Sequence, residues 1–491
     1  MCALLVFAGG CTSLRQYVAN GFKVGPDYCP PCAPVSDDWI DSQDPRVSTE
    51  PADYGEWWTV FQDSTLDQLI LIARQQNISL GEAGFRISEA QAQRAFVTGD
   101  LFPQTQELFG EFTRTQRSTQ TATFPRGGSG GFGTLALSRF STWRVGGRLA
   151  WELDFWGRFR RAIEAADARL DSSIEDYDDA LVLLIAEVAS TYVEIRTVEQ
   201  RLDFARENAS LQQESARIAE ARLNAAAVDS EIDAPQAKSN LARTQSAIES
   251  LEIARRQAQN RLAVLMGMPP QDLTELLGGP APIPAAPDFI AVGIPGELLR
   301  RRPDVRRAER LVAAQCAEIG IAQADLYPHI SVAGSLSMDA ADYSQLFDRR
   351  AFAGTIGPSF QWNVLNYGRL LNSIRIQDAR FRQQVALYQQ TVLQANEEAE
   401  NAIVAFLRYH SQIGLLQTSV DHAQEAVRVA QAKYRGGQID FNRLFTVQQL
   451  LVTQQDQLAT ARGDLADSLI QLYKALGGGW EVRLEPLSHE S

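Results

Sequence analysis

The sequence predicts an α+β membrane protein. The expected assembly is a trimeric 12-stranded β-barrel, four strands per chain, continuous with a long α-helical barrel. Each chain is expected to be an internal two-fold repeat. Three observations lead there. In "LAWELDFWGRFRR", Leu149 to Arg161, apolar and polar residues alternate until Gly157 and then stop alternating. From Arg158 to Ala234 neither Gly nor Pro interrupts the chain, a run of 77 residues. The same constellation then returns: "LDFWGR" ends at Arg158 and "NVLNYGR" at Arg369, 211 positions later.

The N-terminal stretch "MCALLVFAGGCTS" is a short apolar run that ends in small residues and Cys11. It predicts the remnant of a signal peptide over residues 1–10, without its basic n-region, and a lipoprotein processing site. Cys11 would then be the lipidated, palmitate-bearing first residue. The alternative is an ordinary secretory leader with an incidental cysteine. Residues 11–55 follow as a strap. "VGPDYCPPCAPVSDDW" is Pro-rich and suits an extended segment along a surface. Pro30, Pro31 and Pro34 argue against a helix-opening redox role for Cys29 and Cys32, although the pair could be oxidised.

Composition narrows the function. Of 491 residues, 45% are hydrophobic and 22% charged, and the net charge of −14 has no basic stripe. That disfavours nucleic acid, and none is expected as a partner. Mean hydropathy is −0.20, and no run of 18 apolar residues follows the N-terminus, which argues against a spanning helix. The remaining thiol, Cys316, is alone, and the four histidines are scattered. No metal site and no cofactor are expected.

The first repeat is expected over 56–279 and the second over 280–479, with a tail at 480–491. "AEARLNAAAVDSEID" and "AQAKYRGGQIDFNRL" align at the 211-residue offset, and "LFPQ" and "LYPH" begin at Leu101 and Leu326. Each copy reads helix, strand, loop, strand, very long helix, turn, long helix. β-Hairpins are expected at about 104–155 and about 329–365. Helical hairpins are expected at about 158–266 and about 369–476, with further helices at about 296–325.

In the first hairpin Trp143, Val145, Gly147, Leu149, Trp151, Leu153 and Phe155 alternate with Arg144, Gly146, Arg148, Ala150, Glu152 and Asp154. In the second, Phe360, Trp362 and Val364 continue an apolar series begun by Ile356 and Pro358. Such period-two contrast means one apolar and one polar face. It fits a barrel wall with lipid outside and a wet lumen. Trp143, Val145, Leu149, Trp151, Leu153, Phe360, Trp362 and Val364 are the expected lipid-facing residues. A soluble sandwich strand, polar face outward, is the alternative. The strand near 104–117 is less clean. The loop from Ser118 to Ser138 is rich in Gly, Ser and Thr, as expected on the outer side of a barrel.

From Leu170 to Leu223, and again from Phe381 to Tyr434, apolar residues recur in alternating steps of four and three. This 3.5-residue period imposes a left-handed supercoil. About 65 residues at ~1.5 Å each give a helix near 100 Å, too long for a compact domain. "NAAAVDSEIDAP" and "RGGQIDFN" turn the chain back at the tips, with Asp229, Ser230 and Asp440 where helix caps belong. Four strands cannot close a barrel, and open edges in lipid cost several kcal/mol per unpaired group. Three chains supply about 12 strands and a lumen. Gly157 and Gly368 would mark the bend where barrel becomes tunnel.

"GCTS" at 10–13, "VGPDY" at 24–28, "WWTVFQD" at 57–63 and "LDFWGR" at 153–158 resemble the TolC-like outer-membrane factors. So do "LLRRRPDVRRAE" at 298–309, "ADLYPHISV" at 324–332 and "YRGGQIDF" at 434–441. The likeness is to their NodT-type lipoprotein branch, which serves RND multidrug efflux pumps. It covers nearly the whole chain. The resemblance implies a homotrimeric duct with its barrel in outer-membrane lipid and its helices in the periplasm. It also implies docking to a periplasmic adaptor, or membrane fusion protein, and an RND-type inner-membrane transporter. "RRRPDVRRAE" reads as a helix start with ion-paired arginines rather than a substrate contact.

Several relatives close the periplasmic end with a Leu, an Asp four residues on and an Arg three further. Those positions here are Asn442, Thr446 and Gln449, so the acidic ring is missing from its usual place. The gate expected here uses Asp440, Asn442, Arg443 and Thr446 against Asp229, Glu231 and Asp233. The alternative is that these residues are ordinary solvated caps. An exit duct for efflux is the leading function, and a type I secretion or other export channel the neighbouring one. A non-pore periplasmic scaffold lipoprotein is a third, which the alternating strands oppose. Without a nucleophile elbow, phosphate loop or metal cluster in the sequence, an enzyme is the weakest reading.

Overall fold

The computed structural model describes residues 14–50, 54–116, 139–224 and 230–483. Cys11, Asp229 and the loop 118–138 lie outside the described residues, as does 484–491 of the expected tail. The main elements are α1 (Ser64–Gln76), α2 (Ile78–Gly99), β1 (Thr105–Gln116), β2 (Arg139–Leu153), α3 (Arg158–Asn224) and α4 (Ser230–Leu265). There follow α5 (Pro303–Ala324), β3 (His329–Ala340), β4 (Phe352–Gln361), α6 (Arg369–Arg435) and α7 (Phe441–Ala475). The two longest helices are both 67 residues. Their return helices are 36 and 35 residues. By contacts the chain falls into two units, each drawing segments from both halves: 1–31, 89–171 and 310–385, then 32–88, 172–309 and 386–491.

The first unit holds an antiparallel sheet in the order β1-β2-β3-β4. Its two strand-to-helix joints turn on glycines in the left-handed region, Gly157 at φ 81° and Gly368 at φ 79°. At Gly157 a Cβ would lie 2.8 Å from Lys23 Cα, so only glycine fits beneath the strap. The Asp154 carboxylate accepts from the backbone N–H of Phe159 and Arg160 and caps the first turn of α3. The strap is tied to this joint. Val24 N–H donates to Trp156 O. The Arg161 guanidinium, 3% exposed, donates to Val24 O, Gly25 O and Asp27. The second hairpin ends earlier than the alternation predicts: β4 stops at Gln361. Trp362 and Val364 lie beyond it, where the Trp362 indole donates to Leu326 O at 2.9 Å.

The second unit is built on heptads. Leu181, Leu184, Val188, Ile195, Val198 and Leu202 of α3 are buried, as are Val392, Ala399, Phe406, Val420 and Val427 of α6. Midway along α3 a second stripe is buried as well: Val182, Ile185, Ala189 and Tyr192. This part of α3 has neighbours on two sides. Arg261 of α4 pairs with Glu187, and Asp467 of α7 accepts from Ser190 Oγ at 2.6 Å. α7 comes close at Gly463, where a Cβ would meet Thr197 Oγ1 at 2.2 Å. No helix of the described residues is long and apolar enough to cross a membrane.

Candidate functional site

The sheet has two chemically distinct faces. Register puts Phe112, Trp143 and Ala340 in one rung, and Leu108, Gly147, Leu336 and Gly354 in another. Val145, Leu149, Trp151, Leu153 and Phe360 share that side. It is apolar and open: Leu108 is 90% exposed, Ile356 85% and Phe360 76%. Phe112 and Trp143 touch at 4.3 Å between centroids, and Tyr343 meets Trp143 edge-on at 5.2 Å.

The other side is a set of polar rungs. Arg148 donates to Glu107 at 2.7 Å, and Arg144 to Asp339 at 3.0 Å. Ser335 pairs with Thr355, and Ser331 with Ser359, each at 3.0 Å. At the joint end Glu152 gathers His329 at 2.8 Å and Arg158 at 2.9 Å. All four carboxylates of the strands, Glu107, Glu111, Glu152 and Asp339, lie on this side. The sequence hides β1 because Gly110 and Gln106 interrupt its apolar face and Phe109 its polar one. Alignment against β2 would have exposed the Glu107–Arg148 rung.

At the turn after α6, Gly437 takes φ 72° and Asp440 caps α7, accepting from Arg443 N–H at 2.8 Å. Thr446 Oγ1 donates to Asn442 O at 2.8 Å within the helix. Asp233, in the first turn of α4, accepts from the Tyr434 hydroxyl at 3.1 Å. Burial, with Asp233 beside it, pushes the Tyr434 phenol up to about 12, so it stays a donor. Ala219, Ala234, Ala237, Tyr434, Phe441 and Leu444 form a small core there. Thus Asp440, Thr446 and Asp233 are engaged locally. Asn442, Arg443 and Glu231 are exposed, and among the described residues no ion pair involves the Arg443 or Glu231 side chain.

Sequence reading gave no sign of buried polar layers within the helices. Asn208 donates to Gln455 at 2.6 Å, and one heptad on Gln448 donates to Ser215 at 2.9 Å. All four are at most 4% exposed. "RRRPDVRRAE" folds as ion pairs on the start of α5. Arg302, 8% exposed, binds Asp304, Glu398 and Ala475 O. Arg306 pairs with Glu175 and Asp178, stacks on Trp480 at 4.2 Å, and Arg307 pairs with Asp176. Cys29 and Cys32 are exposed free thiols, while Cys316 is buried.

Comparison with known proteins gives a consistent result. The family described as "Outer membrane efflux protein" matches residues 69–268 and 294–478. Nodulation protein T of Rhizobium leguminosarum bv. trifolii is 28% identical over 474 residues, 96% of this chain and 97% of that protein. The pyoverdine export outer membrane protein OpmQ of Pseudomonas putida is 30% identical over 435 residues, 87% of this chain and 88% of that protein. Among solved structures, the outer-membrane channel OprN is similar at a TM-score of 0.84. It is 32% identical, over 93% of this chain and 99% of that one.

Proposed function

This chain belongs to the outer membrane efflux protein family, and from that premise we propose that three copies form an exit duct in the outer membrane of a Gram-negative bacterium. The observation that carries the reading is the four-stranded sheet. It has one exposed apolar face, one ion-paired polar face and, among the described residues, two unpaired edges, β1 and β4. Unpaired edges are untenable in hydrocarbon. Three copies joined edge to edge remove them and give 12 strands, with the polar rungs lining a wet lumen. Trp143, Val145, Leu149, Trp151, Leu153 and Phe360 would face lipid. Trp362 and Val364 would sit at the inner boundary, and Cys11 would carry the lipid anchor. The matched lengths of the paired helices, 67 and 67, then 36 and 35 residues, support an origin by duplication of one unit.

In this reading the duct is passive. Small molecules would enter after docking of a periplasmic adaptor and an inner-membrane RND-type transporter. The tips of the helical hairpins would form the closed end, with Arg443 and Asn442 of one copy meeting Asp229 and Glu231 of the next. Asp440, Thr446 and Asp233 would hold those tips in shape. Contacts of this kind are worth about 0.5–1.5 kcal/mol each, strong enough in threes to close a gate and weak enough to open. Native mass spectrometry of the protein in detergent tests the assembly. Three copies per particle is the expected result, and a stable monomer or dimer contradicts it.

A further inference from the structure

The apolar face of the sheet carries only two charged residues in its four strands, Arg114 and Arg139. Both lie at the end of the sheet away from the joints. Arg114 stands opposite Ser141, and Arg139 opposite Gln116. They are therefore diagonal neighbours across β1 and β2, about 7–8 Å apart at the backbone. Just below them on the same face lies the Phe112–Trp143 pair. Trp143 and Trp151 are eight residues apart on β2, about 26 Å along the strand; at the ~40° tilt of barrel strands that spans about 20 Å, most of the ~25 Å apolar band of an outer-membrane barrel.

Their electrostatics differ from those of the arginines on the opposite face. Arg144 and Arg148 each have a carboxylate partner. Arg114 and Arg139 are exposed, and among the described residues neither has an ion-pair partner. The intervening sequence offers none, because no Asp or Glu occurs between Glu111 and Glu152. In the β3–β4 connection, Asp342 and Asp348 are matched by Arg349 and Arg350. Two like charges side by side at the rim of an apolar wall would attract an anion at that depth.

We propose that Arg114 and Arg139 form a binding site for the phosphate groups of outer-leaflet lipid. The inference rests on the barrel reading above, which places this rim at the outer headgroup level. A guanidinium pair matches a phosphate in charge and in its planar forks of donors. The aromatic pair beneath would lie against the first acyl carbons. Each copy would carry one site, so a trimer would hold three.

The test uses the full-length protein with Arg114→Gln, Arg139→Gln, both together, and both changed to Lys. All are reconstituted into vesicles, and insertion is scored by flotation and protease protection. Each is then extracted in mild detergent, and its retention of a phosphorylated lipid A and of the dephosphorylated form is read by native mass spectrometry. Wild type is expected to retain the phosphorylated lipid preferentially. Loss should be about fivefold for either Gln variant and about thirtyfold for the double, since each basic residue near an anionic headgroup contributes a similar increment. The double Lys variant, which keeps the charge without the fork, should restore only part of the binding. Equal retention by wild type and the inserted double Gln variant overturns the site. So does displacement of the lipid by millimolar inorganic phosphate, which would make it a simple anion site. Failure of every variant to insert overturns the barrel reading itself.

Discussion

Single residues carry much of the stability. Gly463 of α7 packs against α3, and a methyl there would collide with Thr197. Gly463→Ala should destabilise the protein by about 1–3 kcal/mol, as overpacked cores do. The check is thermal unfolding followed by circular dichroism. Arg302 is the buried centre of a clamp on Asp304, Glu398 and the C-terminal carbonyl of α7. Arg302→Ala would leave the Ala475 carbonyl without its buried donor, while Glu398 stays half exposed, and should cost about 1–3 kcal/mol. Arg302→Lys should recover only part, because an ammonium cannot supply the forked geometry. The motif containing Arg302 was legible in the sequence as a structural ion-pair cluster. The partners Glu398 and Ala475 were not, being more than 90 residues away.

At the scale of elements, the long helices announce themselves. A 3.5-residue period and the absence of breakers depend only on the chain's own residues, so α3 and α6 can be read directly. Strand β2 is equally plain, because its alternation is nearly unbroken. β1 is not plain, since its apolar face includes Gly110 and Arg114 and becomes apolar only beside β2. The strap is recognisable by its prolines, but not its fastening by Arg161, which requires the fold. The polar layers between α3 and α7 were also invisible, because Asn208 and Gln455 look like surface residues in a heptad. Gln455→Leu should leave Asn208 without its buried partner and cost about 1–3 kcal/mol. Replacing both with Leu should recover the loss while loosening the helix register. Unfolding midpoints of the single and double variants separate the two effects.

A pH dependence belongs to the same helix. Burial first, and then Asp304, pushes Asp179 up to about 6. An acid whose pKa is higher in the folded state favours folding when protonated. Its contribution is therefore lost as pH rises from about 4 through 6. Asp179→Asn should raise the unfolding midpoint at pH 7, and this gain should vanish near pH 4. An equal gain at both pH values would contradict the assignment.

For the whole molecule, the sheet is the decisive part. One chain presents a wall with an apolar side and a polar side, and the proposed assembly joins its two edges to those of other copies. Excess acid in the sequence, −14 overall, predicts a duct that prefers cations. Reversal potentials in asymmetric salt would show it, and an anion-favouring value would refute it. The site at the tips was the least legible feature. Asp229, Glu231 and Arg443 stand out in the sequence as charged residues near the tips, but the contacts proposed for them belong to the assembly and not to one chain. The most direct measurement is single-channel conductance of the purified protein in planar bilayers, with Arg443→Ala alongside. A small wild-type conductance that rises clearly in Arg443→Ala is the predicted result. No channel from folded, inserted protein would contradict the duct, and a large conductance unaffected by the substitution would contradict closure at the tips.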